Sequence, residues 1–251
     1  MSDDTPFSLA IATPMLRGNA TANYVRSVFG LQRYCAQAGI PVDLLVLVGV
    51  SIIDHARNIL ASRFLYETQC SHLLFVDDDI GFNVDELVDL LAFRDRDVVG
   101  AMCPKRSMDW ARIKEIVLRN PDIDPKHLPH LAGDYTGMFH LSGGSPNMTI
   151  GPKLIEVDAI GTGLMMISRD CLRRLIERVP LPPLAPMAGD TLEVPRHVFF
   201  NATNNQGEDI AFCQSVRHHG GRVFGLSTVT VTHTGLYDFI GDLKGIARYE
   251  D

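Results

Sequence analysis

Unbroken apolar runs alternate with stretches whose apolar residues recur every three or four positions, and this rhythm holds over the first 105 residues. Phe7 to Ala12 is a short apolar run closed by Thr13-Pro14, which predicts a strand. Residues 20–38 place Tyr24, Val25, Val28, Leu31 and Tyr34 on one helical stripe and stop at Gly39. "VDLLVLVGV" (42–50) is continuously apolar, the mark of a strand covered on both faces. "SIIDHARNILASRFLYETQ" predicts a helix with Ser51 as N-cap and Ile53, Ala56, Ile59, Leu60 and Phe64 on its inner stripe. Leu73 to Val76 then form another buried strand, Asn83 caps a helix over "VDELVDLLAF", and "DVVGAMCP" returns as a strand. Strand and helix in alternation predict a largely parallel α/β sheet. Ligands of such sheets sit beyond the carboxyl ends of the strands.

Residues 107–153 break the rhythm, being rich in Pro, Gly and His, and read as an insertion with a short helix near 109–119. Beyond it, "LIEVDAIGTGLMMISRD" predicts two strands around a glycine turn, followed by a helix from Asp170 to Arg178. "PLPPLAPMAGDTLEVP" reads as an irregular loop, "GEDIAFCQSVRHHGG" as a helix, and "RVFGLSTVTVTHTG" as one final strand of period two.

Composition narrows the class. A chain of 251 residues with net charge −7 is large enough for a real core, and its charge disfavours nucleic acid or anionic membrane as the main partner. Five cysteines are scattered without a CxxC pair, which predicts buried free thiols rather than a zinc ribbon or disulfide framework. No apolar run approaches the roughly 18 residues of a spanning helix. The opening "MSDDTPFSLAIATPM" does not read as a signal peptide. The expectation is a cytoplasmic protein without an integral membrane segment, in which oligomers are possible.

The chemistry concentrates at "LLFVDDDIGF". In an extended strand Asp77 and Asp79 point to one side and Asp78 to the other, so two like charges share a strand end. A solvated acidic turn at the start of the next helix would be one use of them. The buried strand in front favours a hard divalent cation, Mn²⁺ or Mg²⁺, held by carboxylates and completed by a phosphate.

A strand of form hhhhDxD after strand, helix, strand and helix resembles the nucleotide-sugar-dependent glycosyltransferases of the GT-A fold, in their inverting, family 2-like type. "LAIATPM", "DHARNILASRF" and "GEDIAFCQSVRHHGGRVFGLSTVTVTHTG" are similar to further segments of that family. The resemblance implies one GT-A-like domain: a nucleotide-binding half over 7–105, a variable insertion over 107–153, and an acceptor and catalytic half over 155–240. Its central sheet would be mixed, mostly parallel and flanked by helices.

The same resemblance assigns roles. Asp79 would ligate the metal, Asp77 would contact the ribose or share the metal, and His233 would return to the metal from the last strand. Thr13, Pro14, Asp54, Arg57, Asn58, Asp77 and Asp78 would line the nucleotide. Of the acidic pair Glu208 and Asp209, the second would be the general base. Lys105 and Arg106 end a strand near this site and could meet diphosphate or acceptor charge. The partners implied are a nucleotide-diphosphate sugar donor and an acceptor hydroxyl on a glycan, lipid or small molecule. Direct displacement would invert the anomeric carbon.

Rival readings fit less well. A haloacid-dehalogenase-like phosphohydrolase places its aspartates on the first strand, whereas about 70 residues precede them here. "IATPMLRGNAT" lacks the glycine-rich loop of a nucleotidylyltransferase, and no GxGxxG follows a first strand. A non-catalytic nucleotide- or carbohydrate-binding relative of the fold is separated only by activity.

Overall fold

The computed structural model describes residues 6–131, 153–184, 194–203, 206–226 and 228–236. The first half follows the predicted alternation: β1 (Leu9–Met15), α1 (Ala22–Gln37), β2 (Val42–Val48), α2 (Ile53–Glu67) and β3 (His72–Val76). A short β4 (Ile80–Phe82) precedes α3 (Val84–Ala92) and β5 (Val98–Ala101). The insertion supplies α4 (Trp110–Arg119) and, after a 3-10 turn at Pro125–His127, α5 (Leu128–Leu131). The chain continues through β6 (Leu154–Glu156), β7 (Leu164–Ser168), α6 (Arg169–Arg178), α7 (Glu208–His218), β8 (Val223–Leu226) and β9 (Val231–His233). Most of the proline-rich loop expected at 180–195 lies outside the described residues.

Seven strands form one sheet in the order β2-β1-β3-β7-β5-β8-β6. β1 runs parallel to both β2 and β3, and β5 parallel to β8. β7 is antiparallel to both its neighbours, and β6 is antiparallel to β8. Five strands therefore share one direction and two oppose it, the mixed, mostly parallel sheet that the pattern predicts. β7 sits between β3 and β5, so strands from both ends of the chain interleave at the centre of one sheet.

Each face of this sheet carries its own core. Leu73 and Phe75 of β3 pack with Leu60, Phe64, Leu172 and Phe212 of α2, α6 and α7. Leu74 and Val76 pack with Tyr24, Leu31, Leu87 and Leu90 of α1 and α3. Period-two alternation on a strand buried on both sides produces this division. It also decides where the next residues point.

Four local expectations change. β2, expected to be covered on both faces, is the edge strand of the sheet and only its Leu45 is buried. β1 continues through Thr13 and Pro14 to Met15 because β2 pairs with it as far as Met15↔Val48. β3 leaves β1 after Ala12↔Phe75, so Pro14 lies where the strand has one partner fewer. The N-cap of α2 is Ile52, not Ser51, and it makes no side-chain cap bond. The single last strand is instead two, β8 in the large sheet and β9 paired antiparallel with β4 in a separate two-stranded sheet. Asn83 does cap α3, accepting from the Asp85 N–H at 3.1 Å. All five cysteines are buried and free.

Candidate active site

β3 ends at Val76, and the three aspartates belong to the turn that follows, closed by the Ile80 N–H donating to the Asp77 carbonyl at 3.0 Å. Each aspartate meets a different neighbour. Asp77 continues the odd positions of β3 toward α2, where Arg57 grips it twice: Nη1 to Oδ1 at 3.0 Å and Nη2 to Oδ2 at 3.2 Å. The Nε of Arg57 donates to Glu208 Oε1 at 3.2 Å, at the first residue of α7. Arg57 is 4% exposed. Burial works against its charge, but the two carboxylates outweigh this and hold its pKa above the ordinary value. One buried guanidinium thus joins the aspartate turn to the acidic helix start.

Asp78 points to the other face. Burial, then Asp79 and Asp77, raise its carboxyl pKa, and its charge in turn contributes to the raised pKa of Tyr24 on α1. The Tyr24 hydroxyl lies 2.7 Å from Thr13 Oγ1. The Asp78 carbonyl accepts the N–H of Thr21, the N-cap of α1, at 2.9 Å. Thr13 and Tyr24 therefore form a polar corner near Asp78, where β3 parts from β1. Tyr24 escaped the sequence reading because it fits the apolar stripe of α1; the hydroxyl that a buried tyrosine must satisfy was the available signal.

Asp79 turns toward β9. Its Oδ1 lies 3.3 Å from His233 Nε2, and its Oδ2 accepts from Arg106 Nη1 at 3.0 Å. Its own carbonyl accepts the Thr234 N–H at 2.9 Å. Burial alone would raise the Asp79 carboxyl, but the His233 imidazole and then Arg106 bring it below the ordinary range. The His233 Nδ1 lies 2.7 Å from the Pro104 carbonyl, which fixes it as the N–H donor. Nε2 is then the nitrogen that faces Asp79, and the carboxylate raises the His233 pKa by favouring a proton there; a cation would take the place of that proton on a ring already oriented through Nδ1.

The expected trio of Asp77, Asp79 and His233 is not assembled as one ligand set. Asp77 and Asp79 do not share a strand face, because a turn separates them and Arg57 already holds Asp77. Among the described residues no group of three His, Cys, Asp or Glu side chains is placed to hold a metal. Asp79 and His233 do fit one: an acceptor oxygen and an oriented imidazole nitrogen 3.3 Å apart suit neighbouring ligands of one cation. Mg²⁺ and Mn²⁺ commonly use one or two protein groups, with water and phosphate for the rest.

Asp209 follows Glu208 in the first turn of α7; burial, then Glu208, raise its carboxyl pKa. Asn58, expected at the nucleotide, is buried and bonded to the backbone of residues 199 and 200. It is 1% exposed, its Oδ1 accepts the N–H groups of Phe199 and Phe200 at 2.8 Å each, and its Nδ2 donates to the Phe200 carbonyl at 2.7 Å. Asp54 lies in the first turn of α2 and accepts from the His55 N–H. Gly163, in the predicted "GTG" turn, takes the Asp77 N–H on its carbonyl at 3.1 Å. A Cβ there would come within 3.1 Å of Cys103 Sγ, so the close approach that keeps the turn against the sheet needs glycine.

A mixed sheet of this order, with acidic residues in the turn after its third strand, defines the class: the chain has a GT-A-type, Rossmann-like fold. No family model and no curated protein matches the sequence. Among solved structures, A197 from STIV is similar at 17% identity and TM-score 0.50, over 91% of this chain and 86% of that one. S. aureus TarS 1-349 in complex with UDP-GlcNAc aligns at 13% identity and TM-score 0.43, over 88% of this chain and 56% of that chain. A glycosyltransferase involved in glycosylation of the major capsid of PBCV-1 aligns at 12% identity and TM-score 0.33, over 69% of this chain and 68% of that chain. At 17% identity the likeness to A197 bears on the fold alone.

Proposed function

We propose that this chain transfers a sugar from a nucleotide-diphosphate donor to an acceptor hydroxyl, with a divalent cation, Mn²⁺ or Mg²⁺, held by Asp79 and His233. The observation that carries this reading is the Arg57 bridge. It draws Asp77 and Glu208 onto one guanidinium, so the aspartate turn and the acidic start of α7 lie side by side. The donor class comes from the resemblance of the sequence motifs to nucleotide-sugar-dependent glycosyltransferases.

In this reading the polar corner of Thr13 and Tyr24, near Asp78, receives the nucleoside, with Pro14 beside it. Asp77, held rigid by Arg57, orients the ribose. A bound cation supplies Lewis-acid neutralisation of the leaving diphosphate. Asp209 takes the proton of the acceptor hydroxyl. A carboxyl pKa raised by burial makes it a stronger base, which suits that task. Glu208 remains paired with Arg57 and keeps the start of α7 in place. Attack from the side of α7 against a diphosphate on the side of Asp79 is a single displacement and inverts the anomeric carbon.

Thermal shift with nucleoside diphosphates and their sugars, with and without Mn²⁺, tests donor binding. A metal-dependent rise in Tm that disappears in Asp79→Ala is expected. No rise with any nucleotide under any metal condition would remove the donor reading.

A further inference from the structure

The two aspartates that flank the turn carry arginines of opposite mobility. Arg57, on Asp77, has a side chain 5% exposed and a second carboxylate on Glu208, so it has nowhere to go. Arg106, on Asp79, has a side chain 57% exposed and, among the described residues, a head-group hydrogen bond to one carboxylate oxygen. Its stem is nevertheless held. A Cβ on Gly235 would lie 2.8 Å from Arg106 Cδ and 3.3 Å from its Cβ, so the chain after β9 crosses directly over the aliphatic part. That same stretch gives Asp79 the Thr234 N–H and the imidazole of His233. Arg106 therefore has a fixed base and a free head, placed on the carboxylate that also faces the histidine.

The geometry points to Arg106 as an exchangeable counter-ion: it neutralises Asp79 in the empty site, yields that carboxylate to the divalent cation, and passes its guanidinium to the donor diphosphate. This rests on the proposed cation site and assigns Arg106 a part in it. The charges balance. The Asp79–Arg106 pair opens, the carboxylate takes the cation, and the guanidinium meets phosphate oxygens, which it can grip with two parallel N–H donors. Exchange is easy at this position because an exposed ion pair is weak, and a cation able to take both Asp79 and His233 outcompetes it. Arg57 could not do the same, since leaving Asp77 would strand buried charge.

Mn²⁺ titrated into the full chain, with the free ion followed by its electron paramagnetic resonance signal, reads this directly. R106Q removes the competing charge and is expected to bind Mn²⁺ about two- to fivefold more tightly than the wild type, the range an exposed ion pair supports. R106K, which keeps the charge, should stay near the wild-type value, and D79N should bind none. Inorganic pyrophosphate added to the Mn²⁺-loaded chains should bind R106Q at least about fivefold more weakly than wild type. Equal or weaker Mn²⁺ binding by R106Q, with binding still lost in D79N, overturns the exchange and leaves the proposed function standing. No Mn²⁺ binding by wild type and R106Q alike removes the cation site itself.

Discussion

Arg57 Nε and Glu208 Oε1 lie 3.2 Å apart although 151 residues separate them in the chain. The bond spans α2 and α7, two helices on the same face of the sheet. With the double grip on Asp77 it makes a triad of one positive and two negative groups, anchored on three different elements.

Removing the centre of this triad should therefore cost more than a surface pair would. Arg57→Met leaves Asp77 and Glu208 partly buried without their cation, and about 3 kcal/mol of stability should be lost, the lower end for buried pairs because Asp77 keeps 26% side-chain exposure. Urea denaturation measures it. A loss under about 0.5 kcal/mol, the range of exposed pairs, would show that the triad carries no structural weight.

Asp209 and Glu208 should separate in kinetics. Asp209→Asn is expected to keep nucleotide-diphosphate binding and to lower turnover by about a hundredfold to ten-thousandfold, as loss of a general base does. Glu208→Gln acts through Arg57 and should lower stability together with activity. If Asp209→Asn turns over like the wild type, the base lies elsewhere.

Asn58→Leu keeps the volume and removes three hydrogen bonds to residues 199 and 200. Two buried backbone N–H groups then lose their acceptor, at about 1–3 kcal/mol each before relaxation. A drop in Tm with unchanged nucleotide affinity in the remaining folded protein is the expected pair of results. Nucleotide affinity falling without a drop in Tm would return Asn58 to the ligand.

His72 sets an acid limit. Burial, partly offset by the Arg94 carbonyl and by Asp170, lowers its pKa from the ordinary 6.5. Arg94, whose own charge also disfavours imidazolium, and Ser71 face the ring as well. The unfolded chain takes up the proton first, so stability falls as pH drops below about 6.5 and stops falling only beneath the folded pKa. The urea midpoint should therefore decline between pH 7 and 5, and His72→Gln should flatten that decline. An equally steep decline in the variant would assign the loss to other groups.

The first half of the fold is readable because β1 and β3 are buried on both faces and read as apolar runs, whereas β2 is apolar in sequence yet lies at the sheet edge with only Leu45 buried. The division of "GLSTVTVTH" into β8 and β9 is not readable, since both pieces carry β-branched residues and only tertiary pairing with β4 breaks the run. At the site, Asp79, His233, Arg57 and Glu208 all stand out in the sequence, but their pairing does not. Strand periodicity joins Asp77 to Asp79, whereas the turn after Val76 sends one to α2 and the other to β9. Asn58 beside Arg57 reads as a ligand group in the sequence, and its bonds to Phe199 and Phe200, which arrive from far along the chain, are not legible there.

Ile80 pairs with His233 in the smaller sheet, across about 150 residues of intervening chain. Closing so long a loop is entropically slow, and that pairing can form only after residue 231 exists. The large sheet is complete by Leu226. A chain emerging from the ribosome can therefore bury its core while Asp79 still lacks its histidine. The last short strand thus acts as a completion step: a polypeptide interrupted before it should form the large sheet and lack the Asp79–His233 pair.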